Sequence, residues 1–435
     1  MQEAGVVALV LAAAVAWGVL SGRLERSDLT APIIFVGVGV ALAATDVLDL
    51  GELDELAGPI RLLAELTLVL VLFSDAARVR LADLRADAIL DLRLLAIGLP
   101  LATLLGTGLA AVLLPGWSDL WLLLLVGAAL APTDAALGTP VVTNRAVPSR
   151  IRRALNVESG LNDGIATPVV LAAIAGVAAA GELAGAATVG RVLLSLGIGL
   201  LTGLAVGVAG GRLIRTARRR GWIDESFGGP TVLALALLAY VTALAADGNG
   251  FVAAFVAGLA FRNSCGQRTG REVAYTEQTG GALSLVAWLL FGAVVVPVTL
   301  SHFGWRVAVY AVLSLVAVRL VTALVALIGS GFRLVTVGFI GWFGPRGLAS
   351  VIFALIAVEE LGPAADQAVA FIGLTVLLSV VAHGVTARPL ATRYGARVGP
   401  SYPAESAPMP DLPVRRMSAL PRPGPSSGGA GSTGG

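Results

Sequence analysis

Leu155-Asn-Val-Glu-Ser-Gly-Leu-Asn-Asp-Gly-Ile-Ala-Thr-Pro-Val-Val170 sets two carboxylates, Glu158 and Asp163, in the first turns of a run that stays apolar to about Ala180. Such a run is long enough to cross a bilayer, for which roughly 20 apolar residues suffice. An ionised side chain at the centre of such a helix costs about 2.5–3.5 kcal/mol on insertion scales, so a chain keeps one only where it faces protein or water. By default an intramembrane carboxylate marks an ion path or a proton relay.

Helix geometry sorts these polar groups by direction. At about 100° per residue, Ser159 and Asp163 stand about 40° apart, with Asn162 beside them, whereas Glu158 and Asp163 diverge by about 140°. Ser159, Asn162 and Asp163 thus form one oxygen-bearing face suited to a hard monovalent cation. Glu158 looks elsewhere and needs a cationic partner of its own. The best partner is Arg319, the one charge in the apolar stretch Leu313–Ala326. The alternative is Arg346, in Phe343-Gly-Pro-Arg-Gly347. Gly160 and Gly164 leave room for a neighbouring helix.

The rest of the chain has the composition of a membrane protein. Hydrophobic residues make up 57% and charged residues 13%, against about a quarter charged in soluble chains, and the mean hydropathy is +0.87. About thirteen apolar segments follow one another, at roughly 4–22, 31–48, 59–75, 92–114, 119–142, 155–180, 188–214, 229–247, 249–262, 278–300, 304–328, 334–360 and 366–388. All 30 basic positions are arginine, and they fall mainly into alternate loops: Arg23 and Arg26; Arg78 to Arg93; Arg145 to Arg153; Arg212 to Arg220; Arg262 to Arg271; Arg333; and Arg388 onward. The other loops are short and nearly free of basic residues, with Arg61, Arg191 and Arg306 nearby. The positive-inside rule puts the arginine-rich loops in the cytoplasm. The N-terminus is then outside and the C-terminus inside, as an odd number of spans requires. The first segment lacks a charged n-region and a cleavage site, and reads as a retained span. From about Gly399 the chain turns to Pro, Ser and Gly, the composition of a disordered tail.

A second polar site lies in segment five, Gly127-Ala-Ala-Leu-Ala-Pro-Thr-Asp-Ala-Ala-Leu-Gly-Thr-Pro140. Pro132 lacks an N–H and clashes with the preceding turn, so the helix is expected to break near Thr133 and Asp134. Such backbone survives in a membrane only beside protein or a wet cavity, and half-helix ends supply partial charges for ions. Gly344-Pro-Arg-Gly347 reads as a similar break in segment twelve, or as a helix end. Asp75, at the end of segment three, reads equally as a boundary charge or a site group. Asp247, Glu359 and Glu360 read as boundary charges, His383 as a packed histidine and Cys265 as incidental. The lone cysteine excludes an internal disulfide. Two histidines and one cysteine make no zinc cluster. Without lysine there is no Walker motif, and no recognisable nucleophile–base pair points to an enzyme.

The motifs Ala131-Pro-Thr-Asp134, Asn156-Val-Glu-Ser-Gly-Leu-Asn-Asp163-Gly and Gly344-Pro-Arg-Gly347 resemble, in order and spacing, those of the monovalent cation–proton antiporters of the NhaP and sodium–proton exchanger type. The resemblance covers about residues 4–395. It implies an all-α polytopic membrane protein of about 13 helices, with inverted repeats and crossed discontinuous helices in an NhaA-like fold. It implies a transmembrane domain over 1–396, with a core bundle of about 92–180 and 304–388, and dimerisation helices of about 4–75 and 188–300. Residues 397–435 remain as a cytoplasmic tail. Carried over, Asp163 takes a cation or protons, with Asn162, Ser159, Thr133 and Asp134 around it and Asp75 as a further candidate; Na+ would sit at Asp163, Ser159, Asp134 and Thr133. Glu158 and Arg319 become a structural salt bridge. The implied activity is exchange of Na+ or Li+ for H+ by alternating access, electroneutral because position 162 is Asn. K+/H+ exchange is the alternative and a cation channel a more distant one. No cofactor, nucleotide or nucleic acid is expected, and the partners are the lipid bilayer of the cell membrane and a second copy of the chain.

Overall fold

The computed structural model describes residues 2–24, 30–45, 53–84, 87–114, 119–179, 186–224, 226–266, 270–398 and Glu405. The expected tail therefore lies outside the described residues, apart from Arg397, Val398 and Glu405. The described residues form helices α1 (Gln2–Leu24), α2 (Ala31–Ala44), α3 (Leu53–Ala76), α4 (Ala88–Leu113), α5 (Leu120–Ala129), α6 (Ser149–Ala178), α7 (Ala186–Arg219), α8 (Gly228–Leu244), α9 (Gly250–Cys265), α10 (Gly270–Ser301), α11 (Trp305–Ala326), α12 (Leu334–Trp342), α13 (Leu348–Leu361) and α14 (Asp366–Val398), with short helical turns between some of them. No strand occurs among them. Among the described residues, six helical stretches are long and apolar enough to cross a membrane.

The distribution of side chains is inverted relative to a soluble protein. Leu104, Leu193, Leu201, Leu334 and Val385 are exposed on outer faces, while Thr133, Asp134, Glu158, Ser159, Asn162, Asp163, Arg319, Arg346 and His383 are buried. Apolar surface of that extent in contact with solvent marks a face meant for lipid or protein. Helices satisfy their own backbone groups, so they are the elements that can stand in such surroundings.

Three helices carry a π-turn: Leu94–Gly98 in α4, Phe291–Val295 in α10 and Ser314–Val318 in α11. In α4 and α10 the cause is in the sequence. Pro100 and Pro297 follow the widened turn closely, lack the N–H that would bond four residues back, and push that carbonyl away. The π-turn of α11 has no such proline and leads directly into Arg319. Elsewhere close approach is built from glycine. Gly199, Gly203, Gly207 and Gly211 recur every fourth residue along α7, and a Cβ on Gly203 or Gly207 would stand 2.8 Å from the Cα of Ala253 or Ala257 in α9. Small residues at that period let two backbones touch.

Two segments are interrupted and they cross. α5 stops at Ala129, residues 130–138 leave the helix, and one helical turn resumes at Thr139–Val142. α12 stops at Trp342, residues 343–347 are non-helical, and α13 resumes at Leu348. Each gap holds the proline and glycines that make it: Pro132 and Gly138 in one, Gly344, Pro345 and Gly347 in the other. The two gaps meet at Gly347, where any Cβ would strike the Asp134 carboxylate. α6 runs unbroken past the crossing despite Pro168.

Candidate ion site at the crossing of two broken helices

Each interruption frees backbone groups, and the other interruption takes them up. The N–H of Asp134 donates to the carbonyl of Pro345 at 2.8 Å. Asp134 Oδ2 accepts the N–H of Leu348, at the start of α13, at 2.7 Å. Its Oδ1 accepts from Ala136 N at 2.6 Å and Leu137 N at 3.2 Å. Asp134 thus caps α13 and its own turn at once, an arrangement that suits an anion at a helix N-terminus. Arg346, 0% exposed, sends Nη1 to the carbonyls of Ala131 and Pro132 at 2.8 and 3.0 Å. Ser350 Oγ donates to the carbonyl of Ala129 at 2.6 Å. The crossing is closed by side chains doing what helical turns otherwise do.

The oxygen-bearing face of α6 meets this crossing at Thr133. Thr133 Oγ1 lies 2.9 Å from Ser159 Oγ and accepts from Asn162 Nδ2 at 2.8 Å. Asn162 Oδ1 is buried and has no hydrogen-bond partner among the described residues. A buried amide oxygen without a donor is costly and is the kind of group that a positive ligand satisfies. Asp163 stands next to it, 8% exposed, with the Phe255 ring of α9 against the adjoining Gly164. The structure therefore brings Thr133, Ser159 and Asn162 into one hydrogen-bonded group beside Asp163. It turns Asp134 the other way, toward the backbone of α13.

Glu158 and Arg319 form a two-pronged pair, Nη1 to Oε1 at 2.6 Å and Nη2 to Oε2 at 2.8 Å. Both side chains are nearly inaccessible, at 5% and 4% exposure. Paired forks of this geometry are the strongest form of charge-assisted bond. Asp75 lies 3.4 Å from Arg78, which also reaches Glu277 of α10 at 2.5 Å. Asp75, Arg78, Ala135, Asn156 and Gly160 share a cavity of about 20 Å³, enough for a water molecule. Asp75 thus adjoins the site through this cavity.

Sequence patterning missed several groups here. Ser350 and Ser379 serve the broken backbone, and Ser379 and His383 stand one turn apart on α14, a spacing visible in the sequence. The ion cluster of Arg61 with Glu65, Glu359 and Glu360 joins Glu359 and Glu360, which read as boundary charges, to Arg61 and Glu65 of segment three.

A family profile described as sodium/hydrogen exchanger, transmembrane, matches residues 10–393. The chain belongs to the sodium/hydrogen exchanger family. Membership in this family of transporters, together with the six long apolar helices, makes the chain an integral membrane protein. The K(+)/H(+) antiporter NhaP of Alkalimonas amylolytica is 28% identical over 371 residues, 82% of this chain and 61% of that protein. The Na(+)/H(+) antiporter NhaP of Pseudomonas aeruginosa is 29% identical over 347 residues, 74% of this chain and 78% of that protein. The fold matches that of the sodium proton antiporter MjNhaP1 from Methanocaldococcus jannaschii with a TM-score of 0.74 over 91% of this chain and 100% of that one, at 19% identity. The chain spans 61% and 64% of the lengths of two K(+)/H(+) antiporter relatives, from Alkalimonas amylolytica and Shewanella oneidensis.

Proposed function

We propose that this chain exchanges a monovalent cation for protons across a cell membrane, with Asp163 as the group the two compete for. A carboxylate out of water is expensive to keep charged. A proton or a dehydrated cation each removes that cost, and a core that crosses only when Asp163 is neutralised couples the two flows. Asn162 Oδ1, Ser159 Oγ and Thr133 Oγ1 are the oxygens offered to the cation. The observation that carries the reading is the buried, unpartnered Asn162 Oδ1 beside Asp163. Asp134 has three backbone N–H groups on its carboxylate, so this reading assigns the exchange to Asp163 alone, in keeping with one-for-one, electroneutral exchange. Asp134 and Asp75 then complete the surroundings of the site, with Glu158 and Arg319 as its structural pair.

Na+ or Li+ is the cation of the main reading, and K+ the second reading because similar antiporters carry either ion in their names. Number and placement of oxygens, rather than their type, separate these ions. The loop charges place the N-terminus outside and the arginine-rich loops in the cytoplasm, and the active form is a homodimer in which the helices of 92–180 and 304–388 move against the rest. No cofactor, nucleotide or nucleic acid enters this cycle.

Dissipation of a pH gradient in proteoliposomes, with sodium, lithium or potassium supplied and the voltage clamped or free, tests the proposal. Asp163→Asn is expected to abolish cation-driven proton movement while the protein still folds. Normal exchange by that variant would overturn the reading. Exchange that tracks the clamped voltage would overturn electroneutrality alone.

A further inference from the structure

Among the helical bonds lost in the gap between α12 and α13 is one whose two ends both meet side chains of α14. In a continuous helix the N–H of Arg346 would donate to the carbonyl of Trp342, four residues back. Instead Arg346 N donates to Ser379 Oγ of α14 at 2.7 Å. The Trp342 carbonyl accepts from Gly344 N at 2.9 Å and lies 2.8 Å from His383 Nε2, also of α14. Ser379 Oγ lies 3.2 Å from His383 Nδ1. Two side chains one turn apart therefore bridge the two ends of the lost bond.

A carbonyl has no hydrogen to give, so a ring nitrogen that bonds one does so as a donor. Nε2 lies 2.8 Å from the Trp342 carbonyl and Nδ1 2.8 Å from the Ser379 carbonyl, so a neutral ring, with one N–H, donates to one of them and a doubly protonated ring to both. The form that grips α12 carries its hydrogen on Nε2, and Nδ1 then accepts from the Ser379 hydroxyl, whose oxygen accepts from Arg346. Ser379 and His383 are 0% and 2% exposed, so water does not substitute for either.

This bridge reaches the ion site through Arg346. Its backbone is held by Ser379, and its guanidinium holds the carbonyls of Ala131 and Pro132, directly before Thr133. Thr133 Oγ1 is in turn bonded to Asn162 and Ser159. We propose that His383, acting through Ser379, is a positioning residue for the cation site: it sets the width of the gap between α12 and α13 and so the place of Thr133. The inference rests on the cation–proton exchange reading.

The test compares wild type, His383→Ala, His383→Gln and Ser379→Ala in proteoliposomes, reading the apparent KM for the transported cation and the maximal rate separately. His383→Ala is expected to raise KM by about tenfold, the factor that one lost buried hydrogen bond converts to, with the maximal rate changed about twofold at most. His383→Gln, whose amide can donate to the Trp342 carbonyl, is expected to restore most of the KM. An unchanged KM in His383→Ala, or a glutamine variant as impaired as the alanine one, overturns the proposal. Should His383→Ala fail to fold, Ser379→Ala carries the same test: a raised KM supports the bridge and an unchanged one overturns it. Hydrogen exchange at residues 343–348 reads the bridge without transport, and is expected to speed up in either alanine variant; equal exchange counts against it. A wild type that moves no protons against any cation sinks the exchange reading, and the hydrogen-exchange comparison then still decides the role of His383.

Discussion

Glu158 and Arg319 show how much a single buried pair carries. Both side chains are nearly inaccessible and two parallel bonds join them, while Arg319 Nε has no hydrogen-bond partner among the described residues. Replacing both by apolar groups is often harmless, but deleting one leaves an uncompensated charge. Glu158→Ala is therefore expected to cost about 3–5 kcal/mol of stability, read as a lower melting temperature in detergent, with cation affinity changed far less than stability. Unchanged melting would count against the pair as a structural support. This pair was legible in the sequence because Arg319 is alone in an apolar run and Glu158 points away from Asp163 by helix geometry. The grouping of Ser159 and Asn162 was legible for the same reason. The use of Asp134 was not. Its place in a break was readable from Pro132, but which backbone N–H groups a break leaves waiting depends on where the second break crosses. Ser379 stayed unread for that reason too, and His383 was read as a packed histidine without its partner, since both bond main-chain atoms of another segment.

At the level of elements, prolines and glycines announced both interruptions, and apolar runs announced the helices. Hydropathy does not report which helix touches which, so the joining of α5 to α13, and of α7 to α9 through its glycine stripe, came from the structure. One element is pinned from outside the helical body. Glu405, 1% exposed, caps the N-terminal end of α12: it accepts from Arg333 N at 3.0 Å, Arg333 Nη2 at 2.8 Å and Thr336 Oγ1 at 2.8 Å. Burial pushes its carboxyl up, and the hydrogen bonds from Arg333 and Thr336 outweigh that and hold it below the usual range. A depressed acid stabilises the folded form above its unfolded value, about 4.3 for Glu, and that contribution is lost as pH falls through the folded value. Docking of Glu405 is thus expected to hold constant between pH 5 and 8, the window in which about all of such a group is ionised, and to weaken only below about pH 4. Hydrogen exchange of residues 333–337 across that range checks this, and loss of protection already at neutral pH on mild acidification would contradict it. Glu405→Gln should expose the same residues at every pH.

Across the whole molecule, the ends of the bundle are tied differently. At the arginine-rich end, Arg78 binds Asp75 of its own segment and Glu277 of α10, and Arg150 and Arg153 bind Asp87 and Asp91. At the other end one cation, Arg61 of α3, faces three carboxylates. It lies 2.8 Å from Glu65 of its own helix, and 3.3 and 2.6 Å from Glu359 and Glu360 of α13. Tyr240 of α8 donates to Glu65 at 2.7 Å. Any movement of α13 against α3 has to break this cluster. Arg61 is 42% exposed in its side chain, and pairs so placed contribute only about 0–1 kcal/mol each, weak enough to open in a transport cycle. Removing the arginine does more than delete a contact, because Glu65, Glu359 and Glu360 then face one another with no cation between them. Arg61→Gln is expected to leave the melting temperature within a few degrees, since about 1 kcal/mol or less is at stake, yet to speed hydrogen exchange at the junction of α13 and α14, residues 359–366. Salt at 1 M shortens the screening length to about 3 Å and should produce the same acceleration in the wild type. If neither treatment changes exchange there, packing of α13 on α3, rather than the ion cluster, holds that end of the molecule shut.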